Sequence, residues 1–550
     1  MPKTRTSRKR VRQSTETGSL SGFLYHHKGE IALAVLLAYS LWHAAAFYVG
    51  PAYFGDDTAY SGLAYQIITH QFMQTSDVFS LRLLFIYPVA FFYWIFGITP
   101  LSSVAWPIAA FLGCIAAVFY IGREMGGDAA GVMASLLLAF MPEMVKEASI
   151  MSTDVPLALF VSLIILGLLY GERRGSGRWY LLAGASIVAA PLASPLGLAV
   201  MPVVLLYVVM LLLANGRRQR GKLLYLLYGF AAALAVLMLF NYADCGNPLM
   251  TFTQNLSEFG YLKSSGFFPP SNNAPLFYPQ QMLSYTMVSA MAASAAKGDL
   301  TGMPGSIAGT TSTSQNSYGF YMYAALASWV YLAVFRRKRA YLAVFWFAAG
   351  FLVLEFLPFR VSFSPFMYVL QNRWGRYLLF IAPAAALLVG CAVAEIWRRA
   401  RRTVALCASL AVVAFLVATS LPISMVQHNM LAFERYDILS VSNYLRALPN
   451  STVIYMPNRF DLLMVYMGYD NPSRFVSYDY IQNCTDMAAG SYIMLPAYDH
   501  IAGLDYTPDP GGYCPSWREV LTPEYPYAVY DPETNSLGRL YYVPLNGTQG

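Results

Sequence analysis

Between residues 31 and 423 the chain returns repeatedly to apolar runs of about twenty residues. A helix of that length is about 30 Å long and matches the hydrocarbon core of a bilayer. Inside that core every backbone N–H and C=O must find its partner within the protein, so such runs span as helices. They fall at roughly 31–50, 102–122, 129–150, 156–171, 179–195, 196–214, 223–243, 318–335, 340–358, 374–396 and 403–423, which predicts eleven crossings. Composition agrees: 57% of the 550 residues are hydrophobic and only 12% are charged, against about 25% charged in a soluble protein. The class is a polytopic α-helical membrane protein, with membrane lipids as its first partner. The net charge of +7 is no sign of nucleic acid, because the basic residues sit in short clusters between the runs. The basic opening "MPKTRTSRKRVRQSTETG" reads as a polar tail without a cleavable leader.

One further run, 83–98, is short and aromatic and carries Pro88. Charge decides its placement. With 83–98 flat in the interface, 23 of the 36 Lys and Arg fall in the tail and five short loops on one side, among them "GERRGSGR", "NGRRQRGK", "FRRKR" and "WRRARR". A spanning 83–98 would turn those four clusters outward, against the positive-inside tendency. The expectation is a cytoplasmic N-terminus, a multi-pass protein of the plasma membrane, and an extracytoplasmic C-terminus. Residues 1–30 form a cytoplasmic basic tail and 31–424 the membrane module, with outer loops at about 51–101 and 244–317. The second of these loops reads as irregular apart from a short helix at 279–296. Residues 425–550 alternate helical and strand-like stretches ("YDILSVSNYLRAL", "STVIYMP", "FDLLMVYMGY", "RFVSY", "SYIMLP"), predicting a small outer α/β domain.

Ionisable groups at the ends of apolar runs are costly to desolvate and tend to serve function. On the outer side stand Asp56 and Asp57 in "YFGDDTAY", His70, Arg82, Asp154, Arg373 and Arg376. A carboxylate can take a proton from a hydroxyl, and a guanidinium fork fits a phosphate. Plainer roles stand beside these. Either aspartate of the pair can cap the helix after it, and Asp154 can cap the fourth span. Arg82 can snorkel to headgroups, and His70 can be an ordinary interfacial residue. Glu143, Lys146 and Glu147 read as a solvated charged face.

Four stretches also resemble GT-C class glycosyltransferases, in the branch of the protein O-mannosyltransferases and lipid A aminoarabinose transferases. "YFGDDTAYSGLAYQIITHQF" is similar to the acidic first-loop motif and the juxtamembrane helix that follows it, although the second acid here is Asp rather than the usual Glu. "LRLLFIYPVAFFYWIFG" is similar to the second juxtamembrane helix, with Arg82 in place of the usual Lys-Pro or His-Pro-Pro. "MPEMVKEASIMSTDVPLALF" and "NRWGRYLLFIAPAAALLVG" resemble the exit of the third span and the late Arg-Tyr motif. The resemblance implies a sugar moved from a polyprenyl (dolichyl) phosphate donor to an outer protein, lipid or glycan acceptor, with inversion. Asp56 would be the base, with Asp57 orienting it or the sugar hydroxyls. Arg82 or Arg376 would steady the phosphate and Asp154 would shape the pocket. Tyr60, His70 and Arg373 complete the candidate substrate contacts.

No resident cofactor is expected. A divalent metal is conceivable beside the acidic loop, though no ligand spacing supports it. Cys484 and Cys514 fall in the outer domain and can pair as a disulfide in an oxidising exterior, whereas Cys114, Cys391 and Cys407 read as buried small apolar residues. Two other functions compete. One is an oligosaccharyl transferase or glycan ligase with a pyrophosphate-linked donor, and the other is a lipid-glycan transporter or flippase.

Overall fold

The computed structural model describes residues 27–51, 56–75, 77–253, 318–335, 340–356, 358–363, 366–370, 375–399, 402–457, 462–478, 487–495, 518–521 and 539–544. Helices stand where the apolar runs do. In order they are α1 (Lys28–Ala46), α2 (Asp56–Ile68), α3 (Leu83–Phe96), α4 (Pro100–Gly126), α5 (Asp128–Ala139), α6 (Pro142–Ala148), α7 (Asp154–Arg174) and α8 (Gly177–Ala193). Then come α9 (Met201–Cys245), α10 (Tyr321–Val334), α11 (Tyr341–Phe356), α12 (Ala382–Arg399) and α13 (Arg402–Arg446). Local signals set the ends. Thr99 and Ser102 close a capping box ahead of α4, and the chain leaves α7 through left-handed Gly175.

Among the described residues five helices are long and apolar enough to cross a membrane, or six if α5 and α6 count as one. Those two meet at 61°, because Pro142 offers no N–H and disfavours helix in the residue before it. The eleven expected crossings also need α8 and shorter apolar helices within 195–209, 321–334, 341–356 and 406–421. Exposed side chains such as Trp42, Trp94, Leu213, Leu239 and Val404 give the bundle an apolar outer belt. A belt of that kind suits lipid rather than water. The protein is a multi-pass membrane protein with α12 as its buried axis; α5, α10 and α11 share its core. Cys114 and Cys391 are buried as expected, but Cys407 is exposed on the apolar outer face of α13.

Helix α9 covers two of the expected spans and the basic segment between them. It cannot be straight. Gly197, in the 3-10 turn before it, packs on Ala190, while Leu226 and Phe230 pack on Gly184. Residues 184 and 190 are about 9 Å apart on α8, whereas a straight helix would put 201 and 226 about 37 Å apart. The chain therefore doubles back between them, and both limbs lie against α8. The return limb comes very close: a Cβ on Gly184 would lie 2.1 Å from the Leu226 carbonyl oxygen, and one on Gly229 2.2 Å from that of Leu181.

Helix α13 has 45 residues and would be about 68 Å long if straight. It runs without a break through the boundary expected at 424–425. Its far end, with Ile438, Val441 and Leu445, packs against a mixed sheet. The strands are β3 (Ile454–Pro457), β4 (Phe475–Tyr478), β5 (Tyr492–Leu495), β6 (Arg518–Leu521) and β7 (Arg539–Tyr542), in the order β4-β3-β5-β7-β6. The two neighbours of β3 are parallel to it, while β7 is antiparallel to β5 and β6. The short helix α14 (Leu462–Tyr466) lies between β3 and β4 in the chain. A small hairpin, β1 (Pro358–Phe363) with β2 (Phe366–Leu370), follows α11.

Gly184→Val should force α8 and the return limb of α9 apart, at a cost of about 1–3 kcal/mol for overpacking. A lower unfolding midpoint of the purified protein in detergent checks this; an unchanged midpoint would contradict the close approach.

Candidate active site at four helix starts

Four charged side chains meet, each from the first residues of a helix. Asp56 opens α2 and Asp154 opens α7. Arg82 directly precedes α3, and Arg376 stands in the 3-10 turn (Gly375–Ile381) that leads into α12. Helix starts expose N–H groups and carry partial positive charge. The carboxylates are therefore well placed, and the two arginines add cations where the field is already positive. Such a site favours a further anion.

Arg376 lies between the two carboxylates. Its Nη2 is 3.5 Å from Asp56 Oδ2, and its Nε is 3.6 Å from Asp154 Oδ2. Charge-assisted hydrogen bonds close to about 2.7–2.9 Å, so these are open ion pairs with room to rearrange. The carboxylates differ in access: the Asp56 side chain is 40% exposed and that of Asp154 only 5%. Asp56 can meet a substrate, while Asp154 holds Arg376 from the closed side.

Asp57 points elsewhere. It is buried, and its charge acts on Tyr93, whose hydroxyl shares a hydrogen bond of 2.7 Å with Ser103. Of the two aspartates, only Asp56 both reaches the arginines and stays open. Tyr60, one turn on from Asp56, is buried. The Arg82 guanidinium carbon lies 5.2 Å from the ring centroids of both Tyr60 and Phe79. Arg82 Nε is buried without a hydrogen-bond partner, and among the described residues no carboxylate comes within ion-pairing distance of it. Burial pulls this guanidinium below its ordinary value, opposed first by the charge of Asp56.

Behind Arg376 lies a network that the sequence did not predict. Glu143 and Glu147 of α6 are 2% and 1% exposed, so the expected solvated face is in fact buried. Lys146 Nζ bridges them, at 2.8 Å from Glu143 and 3.0 Å from Glu147. Gln427 of α13 donates to Glu143 at 3.2 Å, and Glu147 is close enough to Arg376 for their charges to interact. Tyr377, also charge-coupled to Asp56, Asp154 and both arginines, completes the surround. Its only sequence signal was its place in the Arg-Tyr pair.

The structure does not bring His70 to this site. It is exposed beyond the end of α2 at φ +58, about 20 Å along the helix from Asp56, and reads as a left-handed helix stop. Arg373, Cys484, Cys514 and the helix expected at 279–296 lie outside the described residues. Among the described residues no three His, Cys, Asp or Glu side chains gather as a metal site, and the space between Asp56 and Asp154 is filled by Arg376.

Comparison with known proteins finds similarity in one stretch of sequence and in the fold. The family model for dolichyl-phosphate-mannose-protein mannosyltransferase matches residues 82–241, which include Arg82, Asp154 and the α6 network. In structure the chain is similar to ArnT from Cupriavidus metallidurans. Against the apo form the TM-score is 0.56 at 13% identity, covering 94% of this chain and 98% of that one. Against the form bound to undecaprenyl phosphate it is 0.53 at 12% identity, covering 95% and 98%. The chain shares its overall fold with ArnT. An oligosaccharyltransferase from Archaeoglobus fulgidus, in its apo form, is also similar in structure, at a TM-score of 0.50 and 12% identity, covering 86% of this chain and 70% of that one. A sequence comparison with curated proteins finds no match.

Lys146→Met should leave two buried carboxylates without their cation. Removing one partner of a buried pair costs about 3–5 kcal/mol. The loss should appear as a lower unfolding midpoint, and Lys146→Arg should recover part of it.

Proposed function

We propose that the protein is a membrane glycosyltransferase that moves a sugar from a polyprenyl-phosphate carrier to an acceptor hydroxyl. The observation that carries this reading is an open carboxylate, Asp56, facing two arginines at the edge of an apolar bundle. One of those arginines, Arg82, has a buried Nε without a hydrogen-bond partner among the described residues. The resemblance of four sequence motifs and the fold shared with an undecaprenyl-phosphate-bound ArnT support the choice of donor.

In this reading the lipid tail lies against the apolar helices and the phosphate sits by Arg82 and Arg376. Asp56 accepts the proton of the acceptor hydroxyl as that oxygen attacks the anomeric carbon. The bond from that carbon to the phosphate oxygen breaks, and the phosphate leaves with the electron pair. A single displacement inverts the anomeric centre. Arg82 and Arg376 neutralise the charge growing on the leaving phosphate in a poorly hydrated site, where such stabilisation is strongest. Phosphate binding draws Arg376 from its open contact with Asp56 and frees that carboxylate for proton transfer. Asp154 and Glu147 keep Arg376 from leaving the site, and Asp57 and Tyr60 support α2 and Arg82 from below.

The charged cluster lies at helix ends rather than midway along helices, which suits a surface reaction better than a transport path. By the distribution of Lys and Arg, the eleven-crossing reading puts this end outside the plasma membrane with the N-terminus in the cytoplasm. The acceptor is a protein, lipid or glycan hydroxyl on that side.

Two substitutions test the roles. Asp56→Asn should lower turnover by about 10²–10⁴, the usual contribution of a general base, while binding of the polyprenyl-phosphate sugar persists; undiminished turnover would remove Asp56 from the mechanism. Arg82→Ala should raise the donor concentration for half-maximal rate by roughly tenfold or more, given about 1.5–3 kcal/mol for a hydrogen bond to a charged group. An unaltered donor dependence, measured with purified protein and mass spectrometry of the product, would rule out the phosphate contact.

A further inference from the structure

The C-terminal domain reaches back to the helix that carries Asp56 through a single turn. Tyr466, the last residue of α14, is buried, and its hydroxyl donates to the Pro51 carbonyl oxygen at 3.0 Å. Three residues on, the Tyr469 ring stacks on Tyr65 of α2, with centroids 4.2 Å apart and planes 13° from parallel. The Tyr469 hydroxyl also lies 3.3 Å from Ser61 Oγ. Pro51 and Ser61 stand five residues before and five after Asp56. One turn of the outer domain thus holds the chain on both sides of the open carboxylate.

This turn is built in an unusual backbone. Gly468, Tyr469 and Asn471 have φ of +69, +55 and +48. A tyrosine in the left-handed region is uncommon and persists only where its surroundings insist on it. Here they do. The Tyr469 N–H donates to the Met464 carbonyl at 2.8 Å, the Asn471 amide donates to the Asn450 carbonyl at 2.9 Å, and Arg446 of α13 donates to the Tyr466 carbonyl. The held element needs the support: α2 has only 13 residues, and helices this short are marginal without tertiary contacts.

We propose that Tyr469 is a positioning residue for Asp56, so that the C-terminal domain completes the active site. This rests on the glycosyltransferase reading above. Tyr469 acts on α2 through Ser61 and Tyr65, not as a group in the reaction. It fixes α2 against rotation and tilt, and with it the direction of the Asp56 carboxylate.

The test uses the full-length protein with Tyr469→Gly and Tyr469→Phe. Glycine accepts the left-handed backbone without strain, so the first variant loses the grip while the turn can keep its shape. We expect kcat to fall about tenfold to a hundredfold, as for a small misplacement of a reacting group, with the KM for a polyprenyl-phosphate sugar within about twofold of wild type. Amide exchange across residues 57–68 should be roughly tenfold faster in Tyr469→Gly. Tyr469→Phe keeps the stacked ring and should fall between the two in both measurements. Faster exchange with wild-type kcat would overturn the positioning role. Unchanged exchange in Tyr469→Gly would overturn the grip itself. If the wild type transfers no sugar from any polyprenyl phosphate tried, the proposed function and the positioning role both fail, and the exchange measurement alone decides whether the grip exists.

Discussion

Arg376 between Asp56 and Asp154 is the contact on which the arrangement turns. Bringing two carboxylates together at the edge of a bilayer is expensive, because each loses hydration and repels the other. One guanidinium between them offsets both costs, and Arg82 balances the count at two charges of each sign. The balance is local and incomplete. The Arg376 pairs with Asp56 and Asp154 are long, and among the described residues no carboxylate comes within ion-pairing distance of Arg82, so the site retains capacity for an anion. A site whose cations were already fully engaged would have to break those pairs before binding a phosphate.

The support behind Arg376 explains how so polar a cluster sits in an apolar bundle. Lys146 pairs with both Glu143 and Glu147 inside the short helix α6, and Gln427 ties Glu143 to α13. The bend before Pro142 makes this possible. A straight continuation of α5 would carry α6 in another direction, and its carboxylates would lose both Arg376 and Gln427. Structure and sequence therefore join here: a proline that breaks a span also sets the angle at which charge reaches the site.

Much of the bundle was legible in the sequence because a run of apolar residues announces its helix locally. The same holds for Asp56, Arg82, Asp154 and Arg376, which stand out as charges beside such runs. The rest depended on tertiary contact. Glu143, Lys146 and Glu147 have the spacing of a solvated helix face, and only the packing of α13 against α6 reveals them as buried. His70 drew notice as an ionisable residue near the acidic loop, yet the length of α2 carries it away. Tyr469 gave no signal, since its partners Ser61 and Tyr65 lie some four hundred residues earlier. In the sheet, β3, β4 and β5 were read from the sequence, whereas β6 and β7, of the same four-residue length, were not. Asp56 and Asp57 are adjacent and chemically alike in sequence, and their opposite exposures together with the Arg376 contact of Asp56 separate them.

The uninterrupted course of α13 has a consequence for how this architecture can vary. Loops absorb insertions because their ends can readjust, but a helix that leaves the bilayer and enters a folded domain has no slack. Adding or deleting one residue there would turn everything beyond it by roughly 100° and shift it by about 1.5 Å. Tyr466 and Tyr469 would then face away from the first loop. Natural relatives of this arrangement should therefore keep the distance in residues from Gln427 to Arg446 constant, even where the connections around it change length freely.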